Sequence, residues 1–175
     1  PMVSHGAERE SRWSGASFGH KYRIDGVLGQ GGMGTVLAGW HVALDQPVAI
    51  KVLRPEVMRL PGMVERFVRE ARAVSRIASE HVVRVRDADR LASGVPYIVM
   101  ERLEGTDLAQ VCRQTKAVAI EAAVGFVLEA CEAISEAHAL GIVHRDLKPG
   151  NLFLARRHDG STRIKVLDFG VSKVA

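Results

Sequence analysis

The chain has 175 residues, of which 47% are hydrophobic and 25% are charged. These fractions are ordinary for a globular domain, and they exclude a mostly disordered chain, a collagen-like repeat and a disulfide-rich miniprotein. Lys and Arg together outnumber Asp and Glu, 24 against 20. This mild positive excess suits acidic or phosphorylated partners, but it does not indicate a nucleic-acid-binding protein.

The cysteines and the apolar segments bear on the cellular compartment. Cys112 and Cys131 lie in apolar, helix-like surroundings without metal-ligand spacing, so we expect reduced thiols in a core and a cytoplasmic location. The first residues carry no basic region followed by an apolar run, which argues against a signal peptide. The most apolar stretch, 117–140, contains four glutamates. Because these carboxylates are costly in lipid, we expect no membrane segment.

The first half of the chain reads as a sheet with one inserted helix. Residues 1–18 are rich in Ser, Gly, Glu and Arg, which predicts a flexible tail. Alternating apolar residues and turn signals then predict a five-stranded antiparallel sheet. Its strands are expected at 22–28, 35–38, 48–53, 82–87 and 97–101. A helical period after Gly62 places Phe67, Ala71, Val74 and Ile77 on one face, together with Glu70.

The second half is mainly helical. A short helix is expected from Asp107, and a long one is expected to end near Leu140. The residues expected to face inward on the long helix are Val124, Val127, Leu128, Cys131 and Ile134. A hairpin of strands over 151–155 and 163–167 completes the pattern, which indicates an α+β fold in two parts.

A cluster of glycines interrupts the first predicted hairpin. The residues Gly29-Gln30-Gly31-Gly32-Met33-Gly34-Thr35-Val36 fit the pattern G-x-G-x-x-G-x-V. Glycines allow a backbone to approach phosphate oxygens and to offer them N–H groups. A dinucleotide-binding fingerprint would open a helix and carry an acidic residue about 20 positions later, whereas here a strand follows. A plain glycine-rich hairpin remains open for this loop taken alone.

Lys51 ends the apolar run Val48-Ala49-Ile50-Lys51. Strand alternation places Ala49 and Lys51 on one face of the sheet. Most lysines in such a position expose their ammonium group to solvent. Glu70 favours another interpretation, because a carboxylate on an apolar helix face is costly without a partner. The sequence therefore predicts a Lys51–Glu70 ion pair.

Two polar motifs follow the long helix. His144-Arg145-Asp146-Leu147-Lys148-Pro149-Gly150-Asn151 joins a helix end to a strand, and Pro149 prevents the helix from continuing. Such a loop offers a base in Asp146, a cation in Lys148 and an amide oxygen in Asn151. Asp168-Phe169-Gly170 follows the last strand and adds a second oxygen ligand suited to Mg²⁺. A polar surface loop would explain any one of these residues, but not the set.

These four motifs, in this order, resemble those of eukaryotic-type protein kinases. Lys148 in the catalytic loop is similar to the serine/threonine branch, and the glycine loop is similar to that of bacterial Hanks-type kinases. The resemblance implies a protein-kinase-like fold in two lobes. An N-terminal lobe with its hinge would span 19–103, and a partial, mainly helical C-terminal lobe would span 104–175. It also implies ATP and Mg²⁺ as cofactors and a Ser/Thr-containing protein as substrate.

The resemblance also assigns roles to matching residues. Adenine would lie between Leu28, Val36 and Ala49 on one side and Phe153 on the other. Met100 would take the gatekeeper position, the backbone of Glu101 and Leu103 would bind the adenine edge, and Asp107 would reach the ribose. The phosphates would meet Lys51 and the loop residues Gly29, Gln30, Gly31, Gly32, Met33 and Gly34. Asn151 and Asp168 would hold Mg²⁺, Asp146 would accept the substrate proton beside Lys148, and Glu70 would hold Lys51.

The chain stops five residues after Gly170, before any activation loop or substrate platform. We therefore expect an N-terminal fragment of a longer kinase that is inactive alone. Two alternatives belong to other classes. A pseudokinase-like module would bind nucleotide without turnover, although the complete set of catalytic residues argues against it. A small-molecule phosphotransferase of related fold is disfavoured by Lys148 and by the DFG triplet.

Overall fold

The computed structural model describes residues 17–115 and 117–169, and the chain divides into two compact units. Within the described ranges, the first unit contains residues 17–68 and 85–102. The second unit contains residues 69–84, 103–115 and 117–169. The lobes predicted from the sequence, 19–103 and 104–175, stay a prediction, and residues 69–84 group with the second unit.

The first unit is built on an antiparallel sheet with strand order β1-β2-β3-β4-β6-β5. Its strands are β1 (Ser17–Phe18), β2 (Tyr22–Gln30), β3 (Gly34–His41), β4 (Gln46–Leu53), β5 (Val85–Arg90) and β6 (Pro96–Glu101). The five predicted strands are confirmed, with shifted ends. The additional strand, β1, falls in the segment that the sequence assigned to the tail. Phe18 is buried and packs edge-on against Tyr97, so it belongs to the core of this unit and not to the predicted tail. Residues 1–16 of that tail lie outside the described residues.

One face of this sheet forms the apolar core of the first unit. Val48, Ile50 and Val52 of β4 point into it. Tyr22 closes one end of the core, where its hydroxyl donates to Asp87 Oδ2 at 3.0 Å. Burial, reinforced by this carboxylate, raises the pKa of Tyr22 well above its usual value. The predicted alternation is thereby confirmed, since Ala49 and Lys51 lie on the opposite face of β4.

Two helices follow β4 in the chain. The first, α1 (Pro55–Met58), is a single turn that begins with a proline in its first position. The second, α2 (Met63–Val74), is the helix predicted after Gly62 and crosses the boundary between the two units. Phe67, Ala71 and Val74 are buried on its apolar face, as the 3.6-residue period predicts.

The second unit combines a small antiparallel sheet with two helices. A three-stranded sheet consists of β7 (Gly105–Asp107), β8 (Leu152–Arg156) and β9 (Thr162–Val166). The helices are α3 (Leu108–Gln114) and α4 (Ile120–Ala139). Short 3₁₀ turns occur at Gly19–Lys21 in the first unit and at Pro149–Asn151 in the second. The predicted hairpin is confirmed as β8 and β9.

The strand predicted over 82–87 begins later than expected. The N–H of Val166 donates to the carbonyl of His81 at 2.7 Å, and the N–H of Val83 donates to the carbonyl of Val166 at 3.2 Å. The ring nitrogen Nδ1 of buried His81 lies 3.1 Å from the carbonyl of Ile164. Because these bonds attach the segment to β9, strand β5 begins only at Val85.

The inward face predicted for α4 is wrong. Val124, Val127 and Leu128 are more than half exposed, and Cys131 is exposed as well. Ile134 is half-buried, and the buried residues of this helix are Ala130, Ala133 and Ala137. These small side chains allow the helix to pack closely against the rest of the second unit. Two glutamates near them accept hydrogen bonds from backbone amides. Glu129 accepts from the N–H of Ile164 at 2.7 Å, and Glu136 accepts from the N–H of Ala78.

The two cysteines are not core residues. Cys112 on α3 and Cys131 on α4 are both free and exposed, which corrects the sequence expectation of buried thiols. Over residues 17–115 and 117–169, no helix has the length and apolar character needed to cross a bilayer.

Candidate functional site

The glycine loop is the tight connection between β2 and β3 in the first unit. Gly31 donates its N–H to the carbonyl of Gly34 at 2.9 Å, which closes the turn. Just before it, the register of β2 against β3 shifts between Val27 and Gly29. Leu28 therefore sits in a bulge, where it is half exposed and is free to contact a ligand.

The glycines of this loop serve two different purposes. A Cβ built on Gly29, Gly31 or Gly32 would meet no atom within 4 Å. A Cβ on Gly34 would lie 2.4 Å from the backbone oxygen of Val52. Gly34 is therefore required for the packing of β3 on β4, whereas the other three glycines leave open space beside the backbone. That open space suits the approach of a phosphate.

Lys51 is buried on the face of β4 that lies opposite the apolar core, with only 8% of its surface exposed. Its neighbours across the sheet are Val36 on β3 and Ile98 on β6. This burial argues against the solvent-exposed lysine considered from the sequence. Two residues along the strand, Ala49 lies opposite Met100. The structure thus brings the predicted residues Val36, Ala49, Lys51 and Met100 onto one patch of the sheet.

Glu70 lies on α2 in the part of that helix that belongs to the second unit, and it is half-buried. Lys51 belongs to the first unit. Because the two residues belong to different units, the Lys51–Glu70 ion pair stays a prediction.

The segment after β6 carries the residues expected at the adenine and the ribose. Glu101, the last residue of β6, pairs with Val48, and Leu103 follows in the connection to β7. Asp107 caps α3, since its Oδ1 accepts from the N–H of Gln110 at 2.8 Å. Asp107 also lies opposite Phe153 across β7 and β8. The structure thus places two of the predicted nucleotide-binding residues side by side in the second unit.

Asp146 is held by two neighbours in the loop between α4 and β8. Lys148 Nζ lies 2.7 Å from Asp146 Oδ2. The side-chain amide of Asn151 donates to the carbonyl of Asp146 at 2.7 Å and to its Oδ2 at 3.2 Å. Lys148 and Asn151, which the sequence singled out, therefore converge on the carboxylate of the third such residue, Asp146. Asp146 is a hydrogen-bond acceptor with a fixed orientation, as a general base requires.

His144 supports this loop from inside the second unit. Its Nδ1 accepts from the N–H of Asp146 at 3.3 Å, so the ring carries its proton on Nε2, which donates to the carbonyl of Leu167 at 2.9 Å. The ring also packs on Phe169, with centroids 4.8 Å apart. His144 thereby connects the backbone of Asp146 with the residues that flank Asp168.

Asn151 and Asp168 lie at adjacent ends of paired strands. The N–H of Leu167 donates to the carbonyl of Asn151 at 2.9 Å, directly before Asp168. Asp168 is exposed and has a φ of 52°, and Arg145 in the other motif has a φ of 62°. Left-handed backbone at non-glycine residues carries strain and is concentrated at functional sites. Gly170 of the DFG triplet lies outside the described residues.

This donor set fits Mg²⁺. The amide nitrogen of Asn151 is engaged with Asp146, so its amide oxygen remains for a cation, and Asp168 supplies a carboxylate. Mg²⁺ in phosphate-transfer sites takes one or two protein oxygens and completes its shell with phosphates and water. Among the residues that the structure describes, no group of three or more His, Cys, Asp or Glu side chains forms a metal site of its own.

Two residues have roles that sequence reasoning missed. The sequence indicates His144 only as part of a motif. In the structure its buried ring forms hydrogen bonds with two separate loops. Arg54, which follows β4 three residues after Lys51, donates a side-chain hydrogen bond to the carbonyl of Gly32. Its position next to a glycine loop gives no local sequence signal, because the contact joins residues 22 positions apart.

Comparisons with known proteins agree with this geometry. The protein kinase domain family matches residues 22–175. Serine/threonine-protein kinase Pkn1 of Myxococcus xanthus is 44% identical over 154 residues, which are 88% of this chain and 22% of Pkn1. The probable serine/threonine-protein kinase PknB of Corynebacterium glutamicum is 35% identical over 156 residues, covering 87% of this chain and 24% of PknB.

Solved structures show the same fold. The kinase domain of Mycobacterium tuberculosis PknI superposes with a TM-score of 0.77 at 30% identity, covering 91% of this chain and 63% of that domain. The chain therefore spans about a quarter of the length of the two curated relatives and under two thirds of the solved kinase domain. Its α+β architecture is protein-kinase-like: an antiparallel sheet contains the five predicted strands and the added β1, and the second lobe is partial. From its motifs, its fold and this match over most of its length, the chain belongs to the protein kinase domain family, alongside bacterial serine/threonine kinases.

Proposed function

We propose that this domain binds ATP with Mg²⁺ and transfers the γ-phosphoryl group to serine or threonine hydroxyls of a protein. Residues 19–103 would form the nucleotide-binding lobe and 104–175 part of the catalytic lobe. The observation that carries the proposal is the convergence of Lys148 and Asn151 on the carboxylate of Asp146. ATP and the free thiols Cys112 and Cys131 both suit a reducing cytoplasm.

Asp146 is the proposed base of this reaction. The substrate hydroxyl gives its proton to the Asp146 carboxylate while its oxygen forms a bond to the γ-phosphorus. The bond between that phosphorus and the β,γ-bridging oxygen breaks, and ADP leaves with the electron pair. Lys148, 2.7 Å from Asp146, places a positive charge where negative charge moves onto the transferred group.

The first unit supplies the proposed phosphate and adenine contacts. The backbone N–H groups of residues 29–34 would cover the phosphates, and Lys51 would bind the α- and β-phosphates. Support comes from the open space at Gly29, Gly31 and Gly32. The small side chain of Ala49, opposite Met100 on the same face as Lys51, leaves room for a flat base. Leu28 and Val36 would lie against the base, with Glu101 and Leu103 offering backbone groups to its edge.

The second unit supplies the remaining contacts. Phe153 would form the floor under adenine, and Asp107 would offer the ribose the carboxylate oxygen that does not cap α3. Asn151 and Asp168 would hold Mg²⁺, which when bound neutralises charge on the β- and γ-phosphates. Asn151 would keep its hydrogen bonds to Asp146 at the same time, since these use the amide nitrogen.

Serine and threonine are the proposed acceptors. Lys148 is similar to the lysine of the serine/threonine branch, and the relatives Pkn1 and PknB bear the name serine/threonine-protein kinase. The chain spans about a quarter of the length of these two relatives. The choice of the protein that carries the acceptor hydroxyl is therefore assigned to the full-length gene product.

The alternative is a pseudokinase-like module that binds nucleotide without turnover. We would measure both ATP affinity and phosphate transfer to a generic Ser/Thr-containing protein, using the full-length gene product and its Asp146→Asn variant. Loss of a general base lowers turnover by about 10²–10⁴-fold, whereas ATP affinity should stay within about twofold of wild type. Asp159→Asn, in the exposed turn between β8 and β9, is the matched control. Equal transfer by wild type and Asp146→Asn would refute the proposal.

A further inference from the structure

The tip of the glycine loop is fastened to the end of β4 by one residue. Arg54 directly follows β4, and its backbone N–H donates to the carbonyl of Met33 at 3.1 Å. The guanidinium Nη2 of the same residue donates to the carbonyl of Gly32. Two successive carbonyls of the loop are thus bound by two different groups of Arg54.

These bonds fix the direction of two peptide planes. A trans peptide directs its C=O and its N–H to opposite sides, and the structure contains no cis peptide bond among the described residues. The peptide whose oxygen belongs to Gly32 carries the N–H of Met33. The next peptide, whose oxygen belongs to Met33, carries the N–H of Gly34. Both N–H groups therefore point away from Arg54.

Without such bonds the loop would be free to turn. Glycine explores far more backbone conformations than other residues, and Gly31 and Gly32 have no atoms near their Cβ positions to restrict them. The hydrogen bond from Gly31 to Gly34 closes the turn but does not orient the Gly32–Met33 peptide. The charged side chain of Arg54 does, because hydrogen bonds from an ionised donor are among the stronger ones in proteins.

We propose that Arg54 is a positioning residue that holds Gly32–Gly34 in the orientation in which the N–H groups of Met33 and Gly34 face a phosphate. Arg54 acts through the loop backbone and does not itself touch the nucleotide. The inference rests on the proposed nucleotide-binding function, since it specifies how the loop is prepared for the phosphates. A loop that is ordered before the ligand arrives loses less conformational entropy on binding, which raises affinity.

The test compares Arg54→Met with wild type in the 175-residue chain. Arg54→Met keeps the backbone bond and much of the side-chain length but removes the guanidinium. Arg54 is exposed, and Arg59, an exposed arginine after α1, provides the matched control as Arg59→Met. Arg54→Gln is the second variant, because it keeps an N–H donor without the charge.

Two quantities decide the outcome. In the nucleotide-free chain, the protection against exchange of the hydrogen-bonded amides of Gly31 and residue 54 should fall about three- to tenfold in Arg54→Met, and less in Arg54→Gln. ATP affinity should fall by about the same factor, while adenosine affinity should stay within about twofold. Arg59→Met should change neither quantity.

Three results would overturn the proposal. Unchanged loop exchange in Arg54→Met would show that the side chain does not order the loop. Unchanged ATP affinity despite faster exchange would show that the order does not serve phosphate binding. An equal loss for ATP and adenosine would indicate a general disturbance of the fold. If the wild-type chain fails to bind ATP, the proposed function fails, and loop exchange alone then decides whether Arg54 fastens the loop.

Discussion

Asn151 donates its side-chain amide to two oxygens of Asp146, the backbone carbonyl at 2.7 Å and the carboxylate at 3.2 Å. Asn151 is buried, so these bonds are shielded from water. The relationship couples the proposed base to a proposed metal ligand through one side chain. Any change that moves Asn151 should therefore affect both the stability of the loop and the binding of Mg²⁺ with nucleotide.

Asn151→Ala should show this double effect. Because the substitution removes two hydrogen bonds to Asp146, the free energy of unfolding should fall by about 1–3 kcal/mol. The increase in ATP affinity that Mg²⁺ produces should also be lost. Urea unfolding and ATP titrations with and without Mg²⁺ measure the two effects. Gln114→Ala, at the exposed end of α3, should change neither. An Asn151→Ala chain with full Mg²⁺ dependence would contradict the assignment of this ligand.

The two kinds of glycine in the loop should respond differently to alanine. In Gly34→Ala the new methyl group would meet the Val52 carbonyl, and the free energy of unfolding should fall by about 1–3 kcal/mol. In Gly31→Ala the methyl enters open space, and stability should stay within about 0.5 kcal/mol of wild type. ATP affinity should nevertheless fall in Gly31→Ala. The urea midpoints of both variants and an ATP titration of Gly31→Ala test the distinction, and similar midpoints would argue against it.

His144→Phe should loosen the catalytic loop. Phenylalanine keeps an aromatic ring next to Phe169 but removes the hydrogen bonds that the imidazole makes with the Asp146 N–H and the Leu167 carbonyl. Losing buried hydrogen bonds in this way costs about 1–3 kcal/mol of unfolding free energy. Amide exchange at Asp146 should accelerate as well. His158→Phe, in the exposed β8–β9 turn, serves as the control. Equal stability of the two variants would show that the hydrogen bonds of His144 do not stabilise the loop.

Alkaline pH should destabilise the first unit through Tyr22. Burial and the hydrogen bond to Asp87 raise the pKa of this phenol in the folded chain. The unfolded chain releases the proton first, so the contribution of Tyr22 is complete below about pH 10 and is lost as the pH rises toward the folded pKa. Burial also raises the pKa of Tyr97, which adds to the same fall.

The variant that separates these contributions is Tyr22→Phe. At neutral pH its free energy of unfolding should be lower by about 1 kcal/mol, because the hydrogen bond to Asp87 is lost. Between about pH 10 and 12 its unfolding free energy should decline less steeply than that of wild type. Urea unfolding across this pH range is the measurement. Parallel curves for the two chains would mean that Tyr22 does not titrate with folding.

Much of the fold follows from local sequence signals. The strands of the first unit are marked by alternation and turns. The motif over 48–51 lies within one of these strands and the other three lie in connections next to a strand, so their positions were predictable. Phe18 was missed because its surroundings have the composition of a tail, and only its packing on Tyr97 shows that it belongs to the core.

The faces of α4 were not predictable from local signals. Apolar periodicity favours Val124, Val127 and Leu128, yet these are exposed, and the alanine face is buried. The cause lies in contacts distant along the chain, since Glu129 binds Ile164, 35 residues away, and Glu136 binds Ala78, 58 residues away. A helical period cannot reveal such partners. The same holds for Arg54 and Gly32, whose contact depends on the hairpin geometry.

The central proposal is that the motif residues bind Mg²⁺ together with a nucleotide. A crystal structure of the chain with Mg²⁺ and a non-hydrolysable ATP analogue tests it most directly. The account predicts a metal about 2.0–2.1 Å from the Asn151 amide oxygen and from an Asp168 carboxylate oxygen. It also predicts phosphates within hydrogen-bond distance of the Gly29–Gly34 amides and of Lys51 Nζ. A nucleotide bound elsewhere, or a metal that contacts neither Asn151 nor Asp168, would contradict the account.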